Sequence, residues 1–158
     1  MRKIGLLATL AVLLGAGVLG ASLIPASSQE DSTIKVYERQ GTGHDKYINT
    51  DGKAKLGGDY FVGSHPLYRT GTKKKVGRNI TNLTVVQPLG KNNARFRAAA
   101  TFVLGAGKIE VAGASSISRL GKGAVFTITG GTGAYAGATG TLNVREGKRR
   151  TFFTFTLD

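Results

Sequence analysis

The sequence predicts an all-β protein, an eight-stranded antiparallel up-and-down barrel following an N-terminal export signal. Three observations carry that prediction. After the leader, no stretch of the 158-residue chain sustains the 3.6-residue apolar period of a long helix. Eight short runs rich in Val, Ile, Thr and Phe recur instead, separated by Gly, Asn and Lys. Within runs the side chains alternate: Phe96, Ala98, Ala100, Phe102 and Leu104 share one face, with Arg95, Arg97 and Thr101 on the other. One buried and one wet face per strand is the signature of an antiparallel sheet. Closure of eight such strands removes exposed edges, and a barrel of that size either fills its interior or holds one small ligand. A β-sandwich is the competing architecture.

The first element is the leader. Met1, Arg2 and Lys3 form a short positive region, and Ile4 to Leu14 an apolar one. Gly15, Gly17 and Gly20 then dilute it before Pro25, Ala26, Ser27 and Ser28. This is the layout of a secretory signal peptide over residues 1–28, with cleavage after Ala21 or after Ser28. An uncleaved anchor is the alternative, because Ile4 to Ile24 nearly reaches bilayer length. The expected location is therefore secreted, extracellular or associated with the cell envelope, with membrane contact only during export.

Residues 29–158 read as a single barrel domain. Its eight runs are Ile34 to Gln40, Tyr60 to His65, Val76 to Gln87, Ala94 to Leu104, Lys108 to Ala112, Ala124 to Thr129, Ala138 to Arg145 and Thr151 to Leu157. Gly41 to Gly58 is glycine-rich and polar and reads as a long loop; the other connections are short and hold Gly, Asn or Lys. Phe153, Phe155 and Leu157 repeat the alternation against Thr154 and Thr156.

Composition excludes several chemistries. There is no cysteine, so neither a disulfide, a lipoprotein anchor, a thiolate metal site nor a Cys nucleophile is available. With two histidines and scattered acids, no metal is expected. The formal charge is +13, or +11 once Arg2 and Lys3 leave with the leader. Such a surface attracts anions without specificity. Its cations are spread, and the densest clusters fall in a turn (Lys73-Lys74-Lys75) and at a turn or strand start (Lys148-Arg149-Arg150), so nucleic acid is not an expected partner. Asn79 and Asn82 each open a glycosylation sequon. Gly130, Gly131 and Gly133 could suggest a phosphate cradle, but no helix N-terminus follows them.

The segment FTITGGTGAYAGATG over residues 126–140, a strand running into a glycine turn and back, closely resembles the allene oxide cyclase and dirigent protein superfamily. Val36-Tyr37-Glu38, Gly58-Asp59 with Ser64 and Leu67-Tyr68, Lys75-Val76-Gly77, Gly107 to Gly113, and Phe153 to Leu157 agree in the same order. The resemblance covers Ile34 to Leu157. It implies a calycin-like eight-stranded barrel, often trimeric, with an apolar cavity. It also implies cyclisation of a fatty-acid epoxide or stereoselective coupling of phenoxy radicals, both by positioning and without a cofactor. Holding a reactive chain in a near-attack shape supplies about 7–11 kcal/mol of barrier in the best cases.

By that resemblance Glu38 is the cavity glutamate that polarises substrate. Gln40 and His65 take the places of two asparagines that hold a water. Glu38 and Gln40 lie two apart, on the side shared with Ile34 and Val36. Val36, Phe61, Leu83, Val85, Phe96 and Ser115 are the expected cavity lining. The chain also departs from both patterns: Leu83 replaces a pocket cysteine, Gly63 a phenylalanine, and Ala134 and Thr139 the dirigent acid and arginine. The bland readings are an exposed Glu38 beside Arg39, a loop His65 before Pro66, a turn acid at Asp59, and a solvated His44-Asp45 pair.

The expected function is an exported barrel that binds a small apolar or aromatic molecule and steers its cyclisation or coupling, a cofactor-free isomerase or cyclase if an enzyme, with a homodimer or homotrimer as the expected oligomer. The alternatives are a non-catalytic carrier of a lipid-like ligand, a binder of an anionic envelope polymer, and a structural barrel filled by its own side chains.

Overall fold

The alternating runs become strands, and their inward faces make one lumen. The computed structural model describes residues 32–50, 52, 58–90 and 92–158; the leader over 1–28 lies outside the described residues. The strands are β1 (Ser32–Arg39), β2 (His44–Ile48), β3 (Tyr60–Arg69), β4 (Lys75–Pro88), β5 (Ala94–Leu104), β6 (Gly107–Ser116), β7 (Ala124–Gly133), β8 (Gly140–Glu146) and β9 (Arg150–Leu157), with a one-turn helix α1 (Ile117–Leu120) after β6. Eight of them close an antiparallel barrel in the order β1-β9-β8-β7-β6-β5-β4-β3, and β3 returns to β1.

The ninth strand corrects the expected loop over Gly41 to Gly58. Residues 44–48 form β2, which pairs with β3 from Ser64 to Tyr60, while β1 pairs with β3 from Leu67 to Arg69. Both strands thus use the same edge of β3 in tandem. Pro66 falls in the interval between them, where a residue with no N–H to donate is tolerated. That placement lets β3 run through Pro66 rather than end at His65.

The one-turn α1 is consistent with the expectation of no long helix. It rests against β5, β6 and β8 at one end of the barrel. The glycine turn behaves as the sequence implies. A Cβ at Gly131 would stand 2.3 Å from the Tyr135 carbonyl oxygen and 2.7 Å from that of Lys108. Only glycine lets the chain fold back this closely between β7 and β8.

The two ends differ. Val36, Leu67, Phe102, Ile109 and Phe155 pack one end shut, with Phe102 edge-on to Phe155 at 4.9 Å and to Phe153 at 5.1 Å. Edge-to-face rings at such spacing add to the stability of burial itself. The opposite end is where β1 finishes, β3 and β7 begin, and α1 sits; there the lumen stays open.

Candidate functional site

Period-two alternation decides which residues see the lumen, and small side chains decide where space remains. On β5 the inward row runs Phe96, Ala98, Ala100 and Phe102; the two alanines face Gly113 and Val111 on β6 and Leu83 and Thr81 on β4. Those small residues leave a cavity of about 320 Å³. Its walls are apolar, from Phe61, Leu83, Phe96, Phe126, Leu142 and Phe153, and Leu120 of α1 reaches into it. Its polar groups gather on one side near the mouth: Glu38, Asp45, His65, Asn79, Glu146 and Thr151.

Glu38 sits at the end of β1, opposite Thr151 on β9 and Leu67 on β3. Burial pushes its carboxyl above the ordinary glutamate value, and Asp45 adds to that; His65 and hydrogen bonds from Asn79 and Thr151 pull the other way without cancelling it. Asn79 is 3% exposed and fixed at both ends. Its Oδ1 accepts the His65 backbone N–H at 2.9 Å, so its Nδ2 must face Glu38, donating to Oε2 at 2.6 Å. The backbone of β3 thereby aims an amide at the carboxylate of β1.

His65 is held from the other side. Its Nε2 lies 2.8 Å from Asp45 Oδ1, the one ion pair among the described residues. The Asp45 carboxylate oxygen accepts, so Nε2 is the donor in this contact. Nδ1 is buried and has no partner. Gly63 makes this pairing possible: a Cβ there would be 2.5 Å from Asp45 Oδ1 and 3.4 Å from His65 Nε2. The glycine that departs from the resembled pattern is the one that admits a carboxylate.

Of the anticipated site residues, Glu38, His65, Phe61, Leu83 and Phe96 line one cavity. Four do not. Gln40 follows the last β1 residue, so the alternation that would place it beside Glu38 has ended; it lies exposed and donates to Glu146 Oε1 at 3.4 Å and to the Gly147 carbonyl at 3.2 Å. Val36 faces inward but is packed opposite Phe153 in the shut end. Val85 is buried under the chain at Gly58 and Asp59, which bond its backbone across a bulge in β4. Ser115, opposite Phe96, lies in an outer groove beside α1.

Sequence reasoning missed Asp45 and Asn79. Asp45 is exposed, as the solvated reading of His44-Asp45 expects, its side chain being 68% exposed, but it stands on β2 rather than in a loop and so reaches His65. Asn79 was legible, since it shares the inward face with Thr81 and Leu83, but the sequon drew attention to it as a surface acceptor; its burial excludes that role. Asp59 is not a solvated turn acid either. It is fully buried and accepts from the Tyr47 hydroxyl and from Thr50 N at 3.0 Å, and the Tyr47 bond first, then Thr50, hold its carboxyl below the usual aspartate range. It ties β2 to the start of β3.

No protein-family model matches the chain, and no curated protein does. Solved structures do share its fold. A pyocyanin demethylase superposes with a TM-score of 0.67 at 22% identity, over 80% of this chain and 100% of its own. The pterocarpan synthase dirigent protein GePTS1 gives 0.65 at 15% identity, over 95% and 98%. The exo-specific intermolecular Diels-Alderase AbnU gives 0.60 at 14%, over 80% and 96%. The architecture is that of the dirigent and cyclase barrels, as the sequence resemblance implied; at these identities the likeness is one of fold.

Proposed function

We propose that this barrel binds a small apolar or aromatic molecule at its open end and steers a cyclisation or rearrangement of it, with Glu38 as the acid–base group. The observation that carries the reading is a buried Glu38 carboxyl, raised in pKa by that burial and held by Asn79, on the polar side of a cavity whose other walls are apolar. An apolar pocket with few, placed polar groups is the usual form of a small-ligand site. A carboxyl whose pKa is raised toward neutrality is suited to give or take a proton there. The fold neighbours named above, a demethylase, a dirigent protein and a Diels-Alderase, act on small molecules, which supports the ligand class. His65, fixed by Asp45, would orient a carbonyl or water through its ring, and the leader supports action outside the cytoplasm.

Native mass spectrometry of the protein purified from its source identifies any co-purifying compound and gives the oligomer size. With that compound, Glu38→Gln is expected to lower turnover by about 10²–10⁴-fold while affinity changes little, since general acid–base catalysis contributes on that scale. Unchanged turnover would overturn the acid–base role.

A further inference from the structure

Exposed apolar side chains are not scattered over this barrel. Of the seven large ones among the described residues, Ile80 lies midway along β4, and the other six are at the open end. Among those six are Phe61 at the start of β3, Val86 at the end of β4, Leu89 in the turn that follows, Ile117 on α1 and Val125 at the start of β7, each 38–59% exposed. Cations lie among them. Arg95, Arg97 and Arg119 line the same outer groove as Val86, Leu89 and Val125. Across the mouth, Lys148 and Arg149 occupy the exposed β8–β9 turn, and Arg150 opens β9 with its guanidinium 4.6 Å over the Tyr37 ring.

Among the described residues no acid forms an ion pair with these cations. Asp45 is engaged by His65, Asp59 by Tyr47 and Thr50, Glu38 by Asn79, and Glu146 accepts from Gln40. No ion pair to an arginine or lysine is present among the described residues. The open end is thus apolar and cationic together, on a chain of net charge +13.

Those two properties select the occupant. An acidic polymer would answer the arginines but leave the apolar side chains in water. A second copy would cover the apolar side chains but set arginines against arginines. An anionic bilayer surface answers both: phosphates for the cations, and the headgroup–acyl boundary for Phe61, Leu89 and Ile117. We propose that the open end of the barrel docks on an anionic lipid bilayer, so that the cavity mouth faces the membrane and an apolar ligand can enter from it. This is a contact beyond the export step, and it holds whether or not Glu38 acts on the ligand.

The test is co-sedimentation of the purified protein with vesicles of phosphatidylcholine alone and with phosphatidylglycerol added. Binding is expected to the anionic vesicles and to weaken steeply with NaCl. The double variant Leu89→Glu, Ile117→Glu is expected to bind at least about tenfold less, and Arg119→Gln about fivefold less, each cation near such a surface being worth roughly that factor. Neither position lines the cavity, so melting temperature is expected to stay within a few degrees; Val125→Glu serves if the double variant misfolds. Equal vesicle binding by parent and variants, or none by the parent, overturns the proposal. So does concentration-dependent self-association that the double variant abolishes while vesicles are ignored, which would mark a contact between copies. Retention on heparin, unchanged in the double variant and without vesicle binding, would mark a polymer site and overturn it equally.

Discussion

Glu38 is one carboxyl whose meaning changed with its surroundings. On a strand beside Arg39 it could as well have been solvated; at the wall of an apolar cavity it becomes a group whose protonation is coupled to folding. Because its pKa is raised, the folded state holds the proton more tightly than the unfolded chain does. Its contribution to stability is therefore fully present below the unfolded value of 4.5 and lost as pH rises through the raised folded value. Glu38→Gln, which cannot ionise, is expected to melt higher than the parent at pH 8, with the gap closing toward pH 4. Thermal unfolding across that range checks it; a gap that widens on acidification would contradict a buried, proton-binding Glu38. His65 sets a second residue-scale case, since Asp45 reaches it only over Gly63. Gly63→Ala and Asp45→Ala are each expected to cost about 0.2–1 kcal/mol, the worth of a pair with one exposed partner, and the double variant no more than either alone. Denaturant unfolding of the cycle decides this, with additive losses as the contrary result.

Among the elements, β2 is the one whose stability depends most on neighbours. It is five residues long and, among the described residues, pairs only with β3 and presents its other edge to no strand. The buried Asp59, bonded to Tyr47 and Thr50, is what ties it down. Strands with one paired edge open locally before the sheet they flank. Amides of β2 are expected to exchange with solvent well before those of β3 facing β4, and Asp59→Asn to widen the difference. Hydrogen exchange resolved by residue measures this; uniform protection across β2 and β3 would show β2 to be part of the same cooperative unit. The tandem use of one β3 edge by β1 and β2 was not legible in the sequence. It depends on a pairing between strands separated by a turn at 40–43, and His44 to Ile48 lies in a glycine-rich stretch whose polarity reads as loop. Pro66 misled in the same way, because a proline ends a strand unless its N–H side meets a gap, and the gap exists only once β1 and β2 are both in place.

For the molecule as a whole, the division into a shut end and an open end predicts where the barrel tolerates loss. Phe155 is 0% exposed and packs edge-on to Phe102 in the shut end. Phe155→Ala is expected to cost about 3–5 kcal/mol. Leu83 lines space that is already present, so Leu83→Ala is expected at or below about 2 kcal/mol, the low end for such truncations. Urea unfolding of both variants tests the asymmetry; equal costs would mean that the lumen is packed throughout, and would remove the space in which the proposed ligand binds.

By itself the sequence determined the all-β class, pointed to a closed antiparallel barrel over a sandwich, carried the resemblance to dirigent and cyclase barrels, and set Glu38 on the strand face shared with Ile34 and Val36. These follow from two-residue alternation and turn chemistry, which are local properties. Tertiary structure alone decided which inward residues meet empty space and which meet one another. Val36 and Phe96 carry the same pattern, yet one is packed into the shut end and the other borders the cavity, because the alanine and glycine rows on neighbouring strands open one layer and not the other. Glu38, Asn79, His65 and Asp45 come from four strands, and register across the barrel brings them together. That register is set by long-range pairing, and the spacing of residues along the chain does not contain it.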